Sequence, residues 1–340
     1  MSVETILALV ILASLMFYAV SGGADFGGGV WDLLAFGPRA ERQRQAIAAA
    51  IGPIWEANHV WLILVIVVVF TAFPAAFAII MTALFVPLML VLFGIVLRAS
   101  AFVFRKYASR NVTVYRRWSA AFGASSLFTP FLLGMSLGAL ASGEIRVVDG
   151  LLTTGFLAGW TGAFAIGCGI FAQALFAFLA ATYMTVDTEG DDALQSDFRT
   201  RALASGLSLA PIALAVFLLA RTGATAIFDA LTGAWAPPLL IATSIAAIGA
   251  LWSLATGRYR IARIAAIAQV AFIIAGWGLG QYPWLIVPDV TFAAAAGPPR
   301  TLRMLVWALA IGALLLFPSF VWLFRVFKSD AGGRPGRTER

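Results

Sequence analysis

The segment that decides the fold covers residues 52–72 and reads GPIWEANHVWLILVIVVVFTA. Together with the apolar residues before it, the segment is long enough to cross a membrane as a helix, which takes about 20 residues. Its first half carries Glu56, Asn58 and His59, the only histidine in the chain, between two tryptophans. Polar groups in hydrocarbon are costly unless they have a partner or a use. We therefore expect a membrane-spanning helix that carries a polar site.

The composition excludes a soluble protein. Of the 340 residues, 61% are hydrophobic and 11% are charged, whereas soluble domains have roughly 45–50% and about 25%. The mean hydropathy is +0.94. The chain is therefore predicted to be an all-α polytopic membrane protein. A net charge of +7 could indicate a nucleic-acid partner, and the distribution of the basic residues tests that idea.

Nine apolar runs meet or approach the length of a membrane span. They cover residues 5–24, 47–72, 75–97, 118–141, 153–184, 203–221, 236–256, 261–281 and 303–327. Pro74 separates the second run from the third and predicts a tight helix hairpin. The Gly-rich stretch 21–29 permits either close helix packing or local unwinding. These features predict one transmembrane helical domain over residues 1–328, followed by a disordered basic cytoplasmic tail, residues 329–340.

The basic residues predict the orientation of the chain. With the N-terminus outside, the outer segments hold only Arg146, Arg221, Arg300 and Arg303, which leaves 19 of the 23 Lys and Arg residues inside. The positive-inside rule then favours an N-out, C-in topology. Residues 185–202 are predicted to form an acidic inner loop and residues 282–302 a proline-rich outer loop. Because the orientation accounts for the net charge, we predict no nucleic-acid partner.

Two of the sixteen acidic residues, Asp25 and Glu56, are predicted to lie within the spans, and the others in loops, tails or span ends. Glu56 is about ten residues into its span, which places it roughly 15 Å deep, and His59 follows on nearly the same face. Such a carboxyl group either passes protons or holds neighbouring helices together through a hydrogen bond. Asp25 either begins a proton-uptake route or packs the Gly-rich stretch.

Three other polar side chains have alternative interpretations. A lone histidine without clustered Cys, His or Met ligands favours a hydrogen-bonded or proton-relay role for His59 over metal or haem ligation. No metal site is therefore predicted. Arg98 ends the third span and Arg105 follows it. They are either anchors at the inner face, or partners of Asp25 or of another subunit.

These residues, in this order, resemble subunit II of the cytochrome bd quinol oxidase family. Residues 52–62, GPIWEANHVWL, are similar to the family's Pro-X-Trp-Asp/Glu-X-Asn-X-Val-Trp-Leu signature. Residues 23–27, GADFG, are similar to its acidic first-helix motif, Asp-Gly-X-Asp-X-Gly. The similarity continues at residues 73–74, 98–105 and 282–288. The number and orientation of the predicted spans agree with the family from end to end.

The resemblance implies a non-catalytic subunit of a quinol:oxygen oxidoreductase, a terminal oxidase of the bacterial inner membrane. The fold would be two four-helix bundles plus one peripheral helix. The chain would form a heterodimer with a haem-bearing subunit I and stabilise it. That partner would hold haem b and haem d, where quinol is oxidised and oxygen is reduced to water. The resemblance leaves open a small third subunit and a quinone or lipid bound to this chain.

The resemblance also assigns roles to individual residues, none of them catalytic. The residues of the predicted proton route are Asp25, Glu56, Asn58 and His59. Trp61 takes the place of a tryptophan that lines an oxygen passage in some members. The predicted structural or partner contacts are Trp55, Arg98 and Arg105.

Two positions depart from the family pattern. Gly22 stands where many members have an aspartate assigned to the proton entrance, and Val103 stands where glutamate is common. Three alternatives follow. Either Asp25 alone serves as the proton entrance, or protons enter through subunit I, or this subunit has only a structural role. The alternative function is a stand-alone proton-coupled transporter, which buried acids and broken helices would allow. Such a transporter should have repeated halves, and the sequence has no clear internal repeat.

Overall fold

A computed structural model describes residues 1–52, 55–108 and 111–329 of the chain. The side chains of residues 55–56, 323–324 and 326–329 are outside the described part. The predicted tail lies outside it from residue 330 onward, since the last helix includes Ser329.

The regular secondary structure of the described chain is helical apart from two short antiparallel hairpins. The helices are α1 (Val3–Leu33), α2 (Ala40–Ile51), α3 (Trp55–Ala72), α4 (Pro74–Ala83), α5 (Phe85–Tyr107), α6 (Val112–Ser142), α7 (Ala163–Asp187), α8 (Asp192–Gly223), α9 (Thr225–Thr232), α10 (Ala236–Ala255), α11 (Tyr259–Gln281) and α12 (Pro299–Ser329). The hairpins pair β1 (Val147–Val148) with β2 (Leu151–Leu152), and β3 (Trp284–Ile286) with β4 (Val290–Thr291).

Eight helices in the described residues are long and apolar enough to cross a membrane: α1, α5, α6, α7, α8, α10, α11 and α12. The apolar segments Ala57–Ala72 of α3 and Pro74–Ala83 are shorter. The prediction of an all-α, multi-pass membrane protein is thus confirmed.

Two of the predicted spans are divided in the structure. The run 47–72 is broken, because α2 ends at Ile51 and α3 begins only at Trp55. The run 75–97 is divided at Leu84 between α4 and α5. Pro87 explains this second break, since a proline cannot donate to the carbonyl four residues earlier and its ring clashes with it. Helix α5 begins at Phe85 and extends to Tyr107, so it includes both Arg98 and Arg105.

A further predicted span and one predicted loop also differ from the structure. The apolar run 153–184 becomes helical only at Ala163, after the first hairpin and a series of turns. The acidic inner loop 185–202 shrinks to residues 188–191, because α7 continues to Asp187 and α8 begins at Asp192. The Asp191 side chain caps α8 by accepting a hydrogen bond from the backbone N–H of Leu194.

The Gly-rich stretch serves close packing, since α1 is a continuous helix through it. A Cβ atom added at Gly27 would lie 2.8 Å from the Ala180 Cβ of α7, and closer still to the carbonyl oxygen of Phe176. At Gly29 it would overlap the Ser126 hydroxyl of α6. Helix α1 also packs against α3 and α11, so it lies at the centre of the described fold.

An ion pair joins the two loops that carry the hairpins. The Arg146 guanidinium donates to the Asp289 carboxylate, with Nε 2.8 Å from Oδ2 and Nη2 3.1 Å from Oδ1. The backbone N–H of Val147 donates to the same carboxylate at 2.7 Å. Helix α4 packs against β2 and β3 beside this pair. The pair therefore ties the α6–α7 loop to the α11–α12 loop.

Acid is expected to loosen this loop layer. Hydrogen bonds from Arg146 hold the pKa of Asp289 below its usual value, which is about 3.9. A carboxylate with a lowered folded-state pKa stabilises the protein above the unfolded-state value, and that contribution disappears as the pH falls through the folded-state pKa. Asp289→Asn should therefore lower the unfolding temperature at neutral pH, and the difference from wild type should vanish in acid. A constant difference would contradict the linkage. Asp229→Asn, an exposed change on α9, is the control.

Candidate functional site

Helices α1 and α3 bring two of the predicted site residues into direct contact. The Asn58 Nδ2 donates a hydrogen bond to Oδ2 of Asp25. Both side chains are buried, Asn58 almost completely. The acidic first-helix motif and the central motif, 33 residues apart in sequence, therefore form one site.

Arg98 of α5 is the largest buried polar side chain of this site, with 2% of its surface exposed. Its Nη2 donates to the backbone carbonyl of Asp25 at 2.9 Å, and its Nε donates to the Ser126 hydroxyl at 3.0 Å. The guanidinium also lies over the rings of Phe26 and Phe122, at 4.8 and 4.9 Å from their centroids. Helix α5 continues past Arg98, and the guanidinium contacts Asp25 through the backbone carbonyl of that residue. The roles of Arg98 as an inner-face anchor or as a contact to another subunit stay predictions.

Arg105 makes a second buried contact with α1, to a residue that the sequence analysis missed. Its Nη1 lies 2.8 Å from Oδ1 of Asp32, and the two side chains are 6% and 1% exposed. The structure buries Asp32 in the last turn of α1. The span was ended at residue 24 on composition, whereas α1 continues to Leu33. The seven-residue spacing from Asp25 was the available signal, since two helical turns return to the same face.

One aromatic ring connects the two arginines. The guanidinium groups of Arg98 and Arg105 lie 4.9 and 4.8 Å from the centroid of Phe122. Cation–π contacts of this length are favourable and become stronger away from water. Two arginines and two aspartates thus form a charge-balanced group between α1 and α5, with Phe122 of α6 between the arginines.

His59 lies beside the Asp25–Asn58 contact among aromatic side chains. Its ring centroid is 6.0 Å from that of Tyr18 and 6.1 Å from that of Phe26. Its Nδ1 is buried without a hydrogen-bond partner among the described atoms, as is the Tyr18 hydroxyl. Across the described residues, no three His, Cys, Asp or Glu side chains lie close enough together to hold a metal.

Two predicted residues of the central motif cannot be placed by their side chains. The side chains of Trp55 and Glu56 are outside the described part of the structure. The partner contact of Trp55 and the proton-route role of Glu56 therefore stay predictions. Their backbone begins α3. Glu56 is therefore the second residue of a helix, and the count that placed it ten residues into a span does not apply.

Trp61 packs in a cluster of aromatic rings from three helices. It is buried and stacks on Phe17 of α1, with 4.5 Å between ring centroids. On α12 it contacts Phe320 at 5.4 Å and Phe317 at 6.2 Å. The surroundings of Trp61 are apolar and contrast with the charged group beside Asp25.

A further buried polar group holds α2 against α8. The Gln43 Nε2 donates to Oδ2 of Asp197 at 2.8 Å, and its Oε1 accepts a hydrogen bond from Nη2 of Arg201 at 2.7 Å. Arg39 pairs with the same Asp197. The sequence analysis assigned these residues to inner loops, and it could not indicate that α2 returns to the bundle.

Comparison with known proteins identifies the fold and its relatives. The family model for cytochrome bd terminal oxidase subunit II matches residues 3–327. A Bacillus subtilis protein provisionally named cytochrome bd menaquinol oxidase subunit II is 24% identical over 340 residues, which are 97% of each chain. Cytochrome bd-I ubiquinol oxidase subunit 2 of Escherichia coli is 30% identical over 210 residues, 61% of this chain and 53% of that protein. The solved structure of bd oxidase from Geobacillus thermodenitrificans superposes with a TM-score of 0.75 at 22% identity, covering 96% of this chain and 99% of that one.

Proposed function

Because this chain belongs to the cytochrome bd terminal oxidase subunit II family, we propose that it is the non-catalytic subunit of a quinol:oxygen oxidoreductase. The observation that carries the proposal is the family match from residue 3 to residue 327, nearly the whole chain. The chain is a multi-pass protein of the bacterial inner membrane. A stand-alone transporter is not favoured, since the same match covers every helix of the described structure.

The proposed topology has nine crossings, with the shorter helix α3 as the ninth, in an N-out, C-in orientation. Two groups of packed helices support two four-helix bundles: α1, α3, α5 and α6 in one, and α7, α8, α10 and α11 in the other. Apart from weaker contacts, helix α12 packs against α1 and α3 within the described part of the structure, as expected of a peripheral helix. The bias of basic residues supports the orientation.

The proposed partner is a haem-bearing subunit I, which forms a heterodimer with this chain and holds haem b and haem d. The donor set of this chain supports that division. Its only histidine, His59, lies beside the rings of Tyr18 and Phe26, and the described residues contain no group of three His, Cys, Asp or Glu side chains that could hold a metal. The proposed role of this subunit is to stabilise the partner while quinol is oxidised and oxygen is reduced to water.

A proton route through this subunit is the finer part of the proposal. It consists of Asp25, Asn58, His59 and Glu56. The hydrogen bond from Asn58 to Asp25 supports it, because it links the acid of α1 to the helix that carries Glu56. Asp25 then serves as the entrance without an acid at Gly22. Trp61 is proposed to line an oxygen passage, which its apolar aromatic surroundings support.

Copurification followed by an optical spectrum tests the proposed function. The chain is expressed together with a candidate subunit I and purified through a tag on this chain alone. We expect the partner and the absorption bands of b-type haem and haem d to copurify with it. Mass spectrometry of the same sample would show any small third subunit and any bound quinone or lipid. If the chain purifies alone and stable, without a haem protein, the oxidase role is excluded.

Glu56→Gln is expected to lower quinol-oxidase turnover of the assembled complex by roughly tenfold or more, as loss of a proton-transferring group does. Glu56→Asp should be milder because it keeps a carboxyl group, and Asp25→Asn should cause a smaller loss. Turnover is measured per haem d, together with the haem d spectrum. Normal turnover and spectra in Glu56→Gln would leave only a structural role. Asp149→Asn, an exposed change at a hairpin turn, is the control.

A further inference from the structure

A pocket lies at the end of the bundle where α7 and α10 end and α8 and α11 begin. Its volume is about 270 Å³. One wall comes from the end of α7 and the start of α8, and the other from the turn between α10 and α11. The distribution of basic residues assigns this end of the bundle to the cytoplasmic surface of the membrane.

The charges that line this pocket are mainly positive. Arg260 is paired with Glu189, with 2.9 Å between Nη2 and Oε2. Arg258 has no ion pair in the described part of the chain, and its guanidinium lies 4.9 Å from the ring centroid of Trp252. Two arginines and one glutamate give the lining a net charge of one positive, carried by Arg258. An anion is therefore the ligand that the pocket would attract.

An apolar stripe on α10 lies next to the pocket. Ile241, Ile245, Ile248 and Trp252 follow one another at intervals of four, three and four residues and share one face of the helix. Each is more than half exposed, as are Ile261 and Ile264 at the start of α11. Tryptophan is enriched at the membrane–water boundary, so Trp252 marks where the stripe leaves the hydrocarbon and meets the pocket.

We propose that this pocket binds the phosphate headgroup of an anionic phospholipid, with its acyl chains along the isoleucine stripe of α10. Basic pockets between transmembrane helices at the cytoplasmic side are suited to anionic headgroups. The volume is below the roughly 300–1,000 Å³ of sites that enclose whole drug-sized molecules, and it suits a headgroup whose chains remain outside. The stripe favours a lipid over free phosphate. The site requires only a membrane around the chain, and it is independent of the oxidase role.

Lipid retention tests the proposal. The wild-type complex and Arg258→Gln are placed in nanodiscs of phosphatidylcholine with added phosphatidylglycerol and then extracted into mild detergent. Mass spectrometry measures the phosphatidylglycerol that each retains. We expect the wild type to retain it in preference to phosphatidylcholine, and Arg258→Gln to retain about fivefold less, the factor for one basic residue near the headgroups. Arg258→Lys should keep most of the preference.

The matched control is Arg117→Gln, which removes an exposed arginine from α6, outside the pocket. An equal loss in Arg117→Gln would show a general charge effect and overturn the proposal, as would a wild type without preference. Calorimetric titration of inorganic phosphate into complexes in pure phosphatidylcholine nanodiscs tests whether the pocket binds free phosphate instead of a lipid headgroup. Saturable phosphate binding that Arg258→Gln abolishes, without any phosphatidylglycerol preference, would assign the pocket to free phosphate. Thermal unfolding confirms that each variant is folded.

Discussion

Replacing Gly27 with valine is expected to prevent the chain from accumulating in folded form. A Cβ atom at this position would overlap the backbone carbonyl of Phe176 and lie 2.8 Å from the Ala180 side chain. A backbone carbonyl inside α7 cannot turn aside as a flexible side chain can, so the two helices would have to separate. Overpacking of this kind costs about 1–3 kcal/mol and more where the backbone is rigid. We expect a loss above about 3 kcal/mol.

The matched control for this change is Gly249→Val on α10. A Cβ atom at Gly249 meets no other group of the described residues within 4 Å, so both variants add the same side chain to a helix but only Gly27→Val meets a described neighbour. Membrane levels and thermal unfolding of the purified complex are the measurements. Gly249→Val should resemble the wild type. Equal behaviour of the two variants would show that the approach of α1 to α7 is not tight.

Arg105→Met is expected to destabilise the protein by about 3–5 kcal/mol, because it leaves the Asp32 carboxylate buried without its counter-ion. Asp32→Leu should cost a similar amount through the unpaired arginine. The double variant Asp32→Leu/Arg105→Met should be much closer to the wild type, since apolar replacement of a buried ion pair is often neutral. The two side chains are 1% and 6% exposed, which is why the single changes are costly.

A double-mutant cycle on the unfolding free energy measures this coupling. The exposed pair of Arg260 and Glu189 provides the comparison, since the two side chains are 78% and 62% exposed and such pairs contribute about 1 kcal/mol or less. Additive effects at Asp32 and Arg105 would show that the two side chains do not depend on each other. A double variant as unstable as either single variant would show that other contacts of these residues matter more.

Composition and charge predicted the class of fold, because hydrocarbon permits only helices or closed barrels and the apolar runs have helical length. The residues at which individual helices begin and end were less predictable. Pro87 was visible in the sequence, yet an apolar run across it concealed the break between α4 and α5. The stretch 21–29 allowed either packing or unwinding, and the choice depended on where Phe176 and Ser126 lie on other helices.

The residues of the site were predictable only in part. The central motif indicated Asn58 and the first-helix motif Asp25, but their hydrogen bond depends on how α1 and α3 cross. Asp32 was missed because hydropathy placed it after the end of the span. Its partner Arg105 was identified as polar but placed in a loop. No local pattern could have indicated that Phe122 lies between two arginines, since the ring and the arginines belong to different helices.

The buried arginine beside Asp25 also bears on the proposed proton route. Guanidinium groups stay charged at every physiological pH, and fixed positive charge in a narrow passage repels hydronium and other cations. In the proposed route, the side of Asp25 that faces Arg98 would therefore be closed to cations. Asp25 would then pass its proton on only towards Asn58 and His59 of α3, so the arginine that helps to hold α5 against α1 would also insulate the route from leakage.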